Sequence, residues 1–453
     1  MKRFAALFIA VAVLAAAPVM AQDPGHVKIA PNNKGDLLIF PFYYTDQTGI
    51  WTKFTVVNTS ETNSTVAKVV IKTWMLSEET LDFLIYLSPA DVWTGWLATL
   101  DDGNVYLVSY DDSMLTADGQ WASLDNLVVQ PLVVPVAPDG NWLGYVYVIN
   151  AATDTDVDLG GIDKQVLGRS PGVLKKDIKA WYDKFNDSDP GNLVATDGEE
   201  TLDTAKPLNI LAGWMELTYG SLYNIAGLNA TTLADYQNAV YIPSGVSTSL
   251  DQGDSRNTLA DIEAALAKNA VAMPYVNGPF DLDEFTVHMF SFPTKGLADG
   301  VPSPYFGQVY DKNTNPLACI KVERKIYDLS ENSTTRVFSP TPAPDKFCYE
   351  VQPIVTFDFP FVEGWARYNF NDPASTSTDN NTIWGNNTTL TYFGAPVIPT
   401  LFDITLGGVF TSLRYGAWTD GEVSLSVVGT VVYPFTDYND MVNYHYSDIP
   451  IPF

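Results

Sequence analysis

Short runs of β-branched and aromatic residues, separated by Asn, Ser and Pro, recur along most of the chain. Three of them lie at residues 54–57, 66–73 and 81–87, and turn-forming residues lie between them at 58–60 and 77–79. Short strands at this spacing are typical of antiparallel sandwiches. The pattern therefore predicts a mainly β fold of one or more antiparallel β-sandwiches.

The segment from residue 37 to residue 96 also resembles a known kind of module. It contains the stretches FTVVNTS at residues 54–60 and LSPADVW at residues 87–93. With these stretches it is similar to the N-terminal β-sandwich module of uncharacterised secreted bacterial proteins. The resemblance implies export and a sandwich fold, and it implies no catalytic residues.

Helical periodicity is confined to the middle of the chain. One predicted helix begins at Ser170 and Pro171, and a second covers residues 258–269, with Pro274 preventing its continuation. We therefore expect a small mixed α+β insertion at residues 160–280, between an N-terminal sandwich region at 22–159 and a C-terminal β-rich region at 281–453. The sequence leaves open whether the two β-rich regions form one sandwich or two.

The first residues have the pattern of an export signal. Lys2 and Arg3 precede an apolar run at residues 4–17, and Val19 and Ala21 are the small residues that signal peptidase requires before Gln22. We expect residues 1–21 to be removed and the protein to be exported to the periplasm, the cell surface or the medium. No later run of the sequence has the length of a membrane helix, so we expect no further membrane span.

The composition and net charge indicate which kinds of partner the protein can bind. The formal net charge is −28, and charged residues make up 17% of the chain against 46% hydrophobic residues. This is a globular composition, and its negative field repels nucleic acid. In an exported chain the two cysteines, Cys319 and Cys348, predict one disulfide that joins two strand-like runs.

Few residues can support common catalytic devices. The chain has three histidines and no H-E-x-x-H, and His288 alternates on a predicted strand as a structural histidine does. Glycoside hydrolysis needs only two carboxylates and aromatic side chains. Trp214 with Glu216 and Trp365 with Glu363 are neighbours of that kind, but among 53 acidic residues such neighbours arise by chance, and tryptophans packed inside a sandwich are the favoured interpretation.

Two further clusters suggest binding. Asp154, Asp156 and Asp158 resemble the start of a calcium loop, but glycine comes late and Gln165 replaces the usual glutamate, so a solvated acidic turn is the alternative. Basic residues concentrate on the predicted helix that begins at Ser170, and they suggest either a contact with the acidic face of a second copy or the solvated face of that helix. The interaction candidates are Lys175, Lys176 and Lys179.

Together these features favour a non-enzymatic extracellular or cell-surface protein that acts by self-association, adhesion or surface coating. They predict no cofactor other than calcium, and self-association or a cell-surface polymer as the partner. The alternative is a secreted protein that binds or cleaves carbohydrate. An open groove lined by Trp and Tyr beside two close carboxylates would distinguish the alternative.

Overall fold

The residues that the structure describes lie mostly in strands. The computed structural model describes residues 27–47, 49–75, 77–109, 111, 114–115, 128–131, 142–154, 202–203, 208–220, 223–236, 250, 259–277, 284–298, 320–334, 345–356, 359–370, 395–405, 409–415, 426–427 and 431–432. Its strands, in chain order, are β1 (Lys28–Ile29), β2 (Leu37–Tyr44), β3 (Ile50–Asn58), β4 (Thr65–Thr73), β5 (Glu79–Leu87), β6 (Val92–Thr99), β7 (Val105–Ser109), β8 (Met114–Leu115), β9 (Val128–Pro131), β10 (Leu143–Asp154), β11 (Leu202–Asp203), β12 (Leu211–Tyr219), β13 (Tyr223–Asn229), β14 (Thr231–Ala234), β15 (Ala267–Lys268), β16 (Ala270–Val276), β17 (Glu284–Ser291), β18 (Ile320–Asp328), β19 (Ser333–Thr334), β20 (Asp345–Phe347), β21 (Val351–Val355), β22 (Glu363–Asn369), β23 (Ala395–Pro396), β24 (Ile398–Thr405), β25 (Val409–Tyr415), β26 (Ser426–Val427) and β27 (Val431–Val432).

Four antiparallel sheets contain most of these strands. The N-inner sheet has the order β1-β14-β2-β10-β4-β5-β8, with β11 beside β10, and the N-outer sheet has the order β13-β12-β3-β6-β7-β9. The C-inner sheet has the order β21-β17-β24-β25-β26, with β27 beside β25. The C-outer sheet has the order β16-β22-β18-β19, with β20 beside β18. The predicted mainly β fold of antiparallel sandwiches is confirmed.

Alternating side chains join the N-outer and N-inner sheets. Phe54 of β3 points inward, and its ring centroid lies 5.0 Å from that of Phe40 on β2. Phe83 of β5 and Trp93 of β6 make a second contact, with centroids 5.5 Å apart. Successive strand residues point to opposite faces, so the other residues of β3 and β6 form the outer surface of this sandwich.

The N-inner sheet is covered on its second face as well. Every residue of β4 is buried, and a strand covered on both faces needs a nearly continuous apolar run such as TVAKVVIKT. The covering layer is the C-inner sheet. Ser291 Oγ of β17 donates a hydrogen bond to the Pro41 carbonyl, and the Glu350 N–H donates to the Trp74 carbonyl at 2.9 Å.

The C-inner sheet is in turn covered by the C-outer sheet. Val287 and Met289 of β17 belong to the core shared with the N-inner sheet, whereas Phe290 belongs to a second core with residues of the C-outer sheet. The Phe290 ring centroid is 4.6 Å from that of Tyr368 on β22. The order of layers is therefore N-outer, N-inner, C-inner, C-outer, except at one edge, where β13 of the N-outer sheet also contacts β25 of the C-inner sheet. One face of each outer sheet is left for solvent.

The buried layers contain charged groups as well as apolar ones. Lys68 of β4 is fully buried, and its Nζ lies 3.0 Å from Oδ1 of Asp82 on β5. Burial lowers the pKa of Lys68 and raises the pKa of Asp82 to about 6. Nearer the border of the inner sheets, Lys295 and Glu350 form a second buried ion pair, with Nζ 3.4 Å from Oε1. Each charge depends on its partner, because an unpaired buried charge is costly.

Asp36, just before β2, is a buried carboxylate held by amide groups. Asn150 Nδ2 donates to its Oδ1 at 2.7 Å, and the Asn209 N–H donates to its Oδ2 at 2.8 Å. Burial nevertheless raises the pKa of Asp36 to about 6. The group therefore ties the start of β2 to the segment that leads into β12.

The middle of the chain contributes to both N-terminal sheets. β12 and β13 belong to the N-outer sheet, and β14 belongs to the N-inner sheet. The helix predicted at residues 258–269 is present as α1 (Leu259–Leu266). It ends earlier than predicted because Ala267 and Lys268 pair with the distant β23. The predicted helix after Ser170 lies outside the described residues.

Candidate functional site

The solvent-facing side of the C-outer sheet arranges its side chains in rows across three strands. In the register, Pro274 of β16 lies opposite Trp365 of β22, which lies opposite Tyr327 of β18. Cross-strand partners point to the same face, so these three side chains form one apolar row. Residues two positions along each strand form the next rows on the same face.

The apolar row contains a stacked aromatic pair. The rings of Tyr327 and Trp365 are almost parallel, at 6°, and their centroids are 4.0 Å apart. Both residues are half-buried, whereas Pro274 is exposed. Because each ring supports the other, little side-chain entropy is left to lose when a ligand contacts the pair.

An open groove of about 630 Å³ runs beside this pair, and we call it the Trp365 groove. Small residues keep it open: Ala270 and Ala272 come from β16, and Gly364 comes from β22. A Cβ atom at Gly364 would collide with the Tyr327 carbonyl oxygen, so only glycine allows the two strands to approach here. The lining residues are Ala270, Val271, Ala272, Pro274, Leu329, Gly364, Trp365 and Arg367.

Polar and charged side chains follow the aromatic row. Arg367, which is exposed, lies opposite Lys325 in the register. Lys325 Nζ is 3.6 Å from Glu323 Oε1, and Asn369 Nδ2 donates to Glu323 Oε2 at 3.3 Å. The groove therefore offers a flat apolar face with hydrogen-bond donors and acceptors of both charges beside it.

A buried histidine supports the groove from below. His288 Nε2 lies 2.9 Å from the Pro274 carbonyl oxygen, and Nδ1 lies 2.7 Å from the Tyr368 hydroxyl. A carbonyl oxygen can only accept, so Nε2 carries the proton and Nδ1 accepts from Tyr368. Burial is the main cause that lowers the pKa of His288 to about 3; the hydrogen bond to the Pro274 carbonyl opposes it in part, and the nearby charge of Arg324 acts in the same direction as burial. The neutral imidazole thus links β17 to the edge strand that forms one side of the groove.

The two tryptophan–carboxylate neighbours of the sequence lie on different surfaces. Trp365 and Glu363 face solvent on the C-outer sheet, and Trp214 and Glu216 lie on the outer face of the N-outer sheet. The interpretation of these tryptophans as core residues is wrong, because the alternating partners of each strand point inward instead. The two carboxylates are separated by the inner layers and do not form a catalytic pair.

Of the other site residues predicted from the sequence, some lie within the described ranges and others lie outside them. Asp154 lies at the end of β10 and pairs with Leu202, whereas Asp156 and Asp158 lie outside the described residues. Within the described part of the chain, no three His, Cys, Asp or Glu side chains group as metal ligands. Cys348 is described and Cys319 is not. The interaction candidates outside the described ranges are Lys175, Lys176 and Lys179.

Comparison with known proteins adds no family. No family model, curated protein or solved structure matches the chain. In the ranges that the structure describes, no helix has the length and apolarity needed to cross a membrane.

The sequence did not single out Tyr327 or Arg367, and it singled out Pro274 only as a residue that stops a helix. The signal for Tyr327 was present in the alternation of β18, where Val322, Arg324 and Ile326 are buried and the residues between them are half-buried. What brings Tyr327 beside Trp365 is the pairing of strands that lie far apart in sequence. That pairing has no local signature.

Proposed function

We propose that this chain is an exported adhesion protein that binds a saccharide polymer of a cell surface through the Trp365 groove. The observation that carries the proposal is the stacked Tyr327–Trp365 pair beside an open groove. A pyranose ring has one face of C–H groups, which suits an aromatic plane, and a rim of hydroxyl groups, which suits neighbouring polar side chains. The groove supplies both kinds of contact.

The alternative ligands fit less well. Nucleobases also stack on aromatic rings, but their phosphates would be repelled by a chain of net charge −28. A fully apolar ligand would require an enclosed pocket, whereas this groove is open to solvent on one side and has Arg367 in its lining. A neutral saccharide chain meets neither objection.

The proposal is for binding without cleavage. Among the described residues, the carboxylate nearest to Trp365 along its strand is Glu363, and the groove lining contains no Asp or Glu. Glycoside hydrolysis requires two carboxylates about 5 to 10 Å apart across the scissile bond. We therefore assign the groove a role in attachment, which agrees with the adhesion or surface-coating role expected from the sequence.

Export is part of the proposal, and the C-outer sheet suggests a test of it. Ile320 of β18 lies opposite Phe347 of β20, and the next pair in this antiparallel register would be Cys319 with Cys348. No free thiol occurs in the part of the chain that the structure describes. We propose that the two cysteines form a disulfide, as an oxidising compartment allows.

Affinity electrophoresis and calorimetry with soluble polysaccharides test the function. The panel contains xylan, mannan, laminarin and hydroxyethyl cellulose as neutral polymers and alginate as an acidic one. We expect the protein to bind at least one neutral polymer and W365A to weaken that binding at least about tenfold, or about 1.4 kcal/mol. Y327A should weaken it less, because Trp365 keeps its own face.

The matched control is V92A, which removes an exposed apolar side chain from the N-outer sheet. It should bind as the wild type does. Binding that is equal in the wild type, W365A and Y327A would show that the groove is not the saccharide site. A wild type that binds no polymer of the panel would remove the support for a saccharide ligand.

A further inference from the structure

Trp214 occupies a second exposed aromatic position, on the opposite side of the molecule from the Trp365 groove. It lies on β12, and the residue is 38% exposed. The register places it opposite Thr55 of β3 and opposite Asn229 of β13, which is exposed. An exposed amide thus lies beside an exposed indole on the same face of the N-outer sheet.

A fixed ion pair borders Trp214 on the same face. Lys53 Nζ is 2.8 Å from Glu216 Oε2, two residues along β12 from Trp214. The same Nζ lies 5.8 Å from the centre of the Trp96 ring, in the range of a cation–π contact. Because these contacts hold the charges in place, the pair offers a donor and an acceptor to a ligand without adding net charge. We call Trp214, Asn229, Lys53 and Glu216 the Trp214 platform.

The Trp214 platform has the same ingredients as the Trp365 groove. In each, a tryptophan and a glutamate lie two residues apart on one strand face, with an asparagine and a basic side chain on that face. In each, the face is the solvent side of an outer sheet. The two inner sheets lie between them, so one ligand ring cannot contact both tryptophans.

The composition of the platform favours a saccharide over a protein partner. In the described part of this face, the large apolar side chains that are exposed are Trp214 and Val92. A stable protein interface needs a desolvated cluster of apolar anchors over a much larger area. One indole with polar groups beside it is enough to hold a single sugar ring. The balanced Lys53–Glu216 pair matches a neutral ligand.

We infer that the Trp214 platform is a second saccharide site, and that the protein therefore holds two polymer segments on opposite faces. The inference rests on the proposed function of the Trp365 groove and extends it from attachment to cross-linking. A molecule with two opposed sites can join two chains of a surface polymer, whereas a molecule with one site can only coat them.

Calorimetry with short ligands counts the sites. The probes are xylotriose, mannotriose and cellotriose, each shorter than the roughly 30 Å across four sheets that pack about 10 Å apart. For the probe that binds, we expect two sites per wild-type chain, one in W214A, one in W365A and none in the double variant. W214F retains an aromatic plane and should restore the second site, and V92A on the same face should retain both. Circular dichroism and the Tm of each variant confirm folding.

A bridging assay measures the consequence. Beads coated with the matching polysaccharide should clump with wild-type protein and stay dispersed with W214A or W365A, although each single variant still binds the beads. One site in the wild type, lost in W365A and unchanged in W214A, would overturn the second site and leave the proposed function intact. Unchanged binding in both single variants would refute both sites.

Discussion

His288 should make the stability of this protein fall as the pH drops below neutral. In the folded chain, burial lowers the pKa of His288 to about 3, against about 6.5 for a solvated histidine. Between these values the unfolded chain takes up a proton that the folded chain does not. The imidazole thus contributes stability that is present above pH 6.5 and is lost progressively toward pH 3.

The magnitude follows from the two pKa values. Each pH unit inside this window costs about 1.4 kcal/mol, so going from pH 7 to pH 5 should remove about 2 kcal/mol. Asp36 acts in the opposite direction. Burial raises its pKa to about 6, so its stability contribution falls as the pH rises from about 4 to 6 and offsets part of the loss. The contribution of His288 is therefore best measured as a difference between variants.

The variant H288Q isolates the histidine. Glutamine can donate to the Pro274 carbonyl and accept from Tyr368, but it does not titrate. Urea unfolding at pH 7, 6 and 5, followed by tryptophan fluorescence, gives the free energy of unfolding of each protein. The stability advantage of the wild type over H288Q should shrink by about 2 kcal/mol from pH 7 to pH 5.

Y368F is the matched control, because it removes one hydrogen bond and retains the imidazole. It should cost about 1 kcal/mol at pH 7, and its pH dependence should keep the steep wild-type form. Parallel curves for the wild type and H288Q between pH 7 and pH 5 would refute the reasoning. They would mean that His288 takes up its proton in the folded state as easily as in the unfolded one.

Four further predictions concern other parts of the chain. K68A should destabilise the fold by about 3–5 kcal/mol in urea unfolding because it leaves Asp82 buried and unpaired, and a loss below about 1 kcal/mol would contradict the buried ion pair. Mass spectrometry of unreduced protein should find the Cys319–Cys348 disulfide, and two free thiols in exported protein would exclude it. Millimolar calcium should raise the Tm if Asp154, Asp156 and Asp158 bind it, and an unchanged Tm against chelator would favour a solvated turn. Reversing three lysines to Glu should reduce self-association at low salt without unfolding the chain, and wild-type assembly by the triple variant would place the contact elsewhere; the lysines are Lys175, Lys176 and Lys179.

The fold class could be predicted from the sequence because alternation is a local property. In β12, Leu211, Met215 and Leu217 are apolar and buried at alternate positions, so the same pattern that predicts a strand also places Trp214 on the outer face. The exposure of Trp214 therefore follows from a local pattern of the residues themselves.

The layering and the groove could not be predicted in this way. The run in β4 shows that both of its faces are buried, but not that the second covering layer comes from residues after 284. The Tyr327–Trp365 stack depends on the register between β18 and β22, and the end of α1 depends on pairing with β23. Each of these features depends on pairing between segments that are distant in sequence. Many strands have a similar composition, so local propensity does not determine which of them pair.

Because the N-inner sheet is covered on both faces, it limits which truncated fragments of this protein can be expressed in folded form. Its second face carries Leu37, Tyr145 and Tyr147, all buried, and the strands that cover it begin only at Glu284. A fragment ending after β14 would contain every strand of both N-terminal sheets, yet it would expose that whole face to water. Such a fragment should aggregate, and the nascent chain needs protection until the C-inner sheet has emerged. The two halves share one hydrophobic core, so we expect them to fold together.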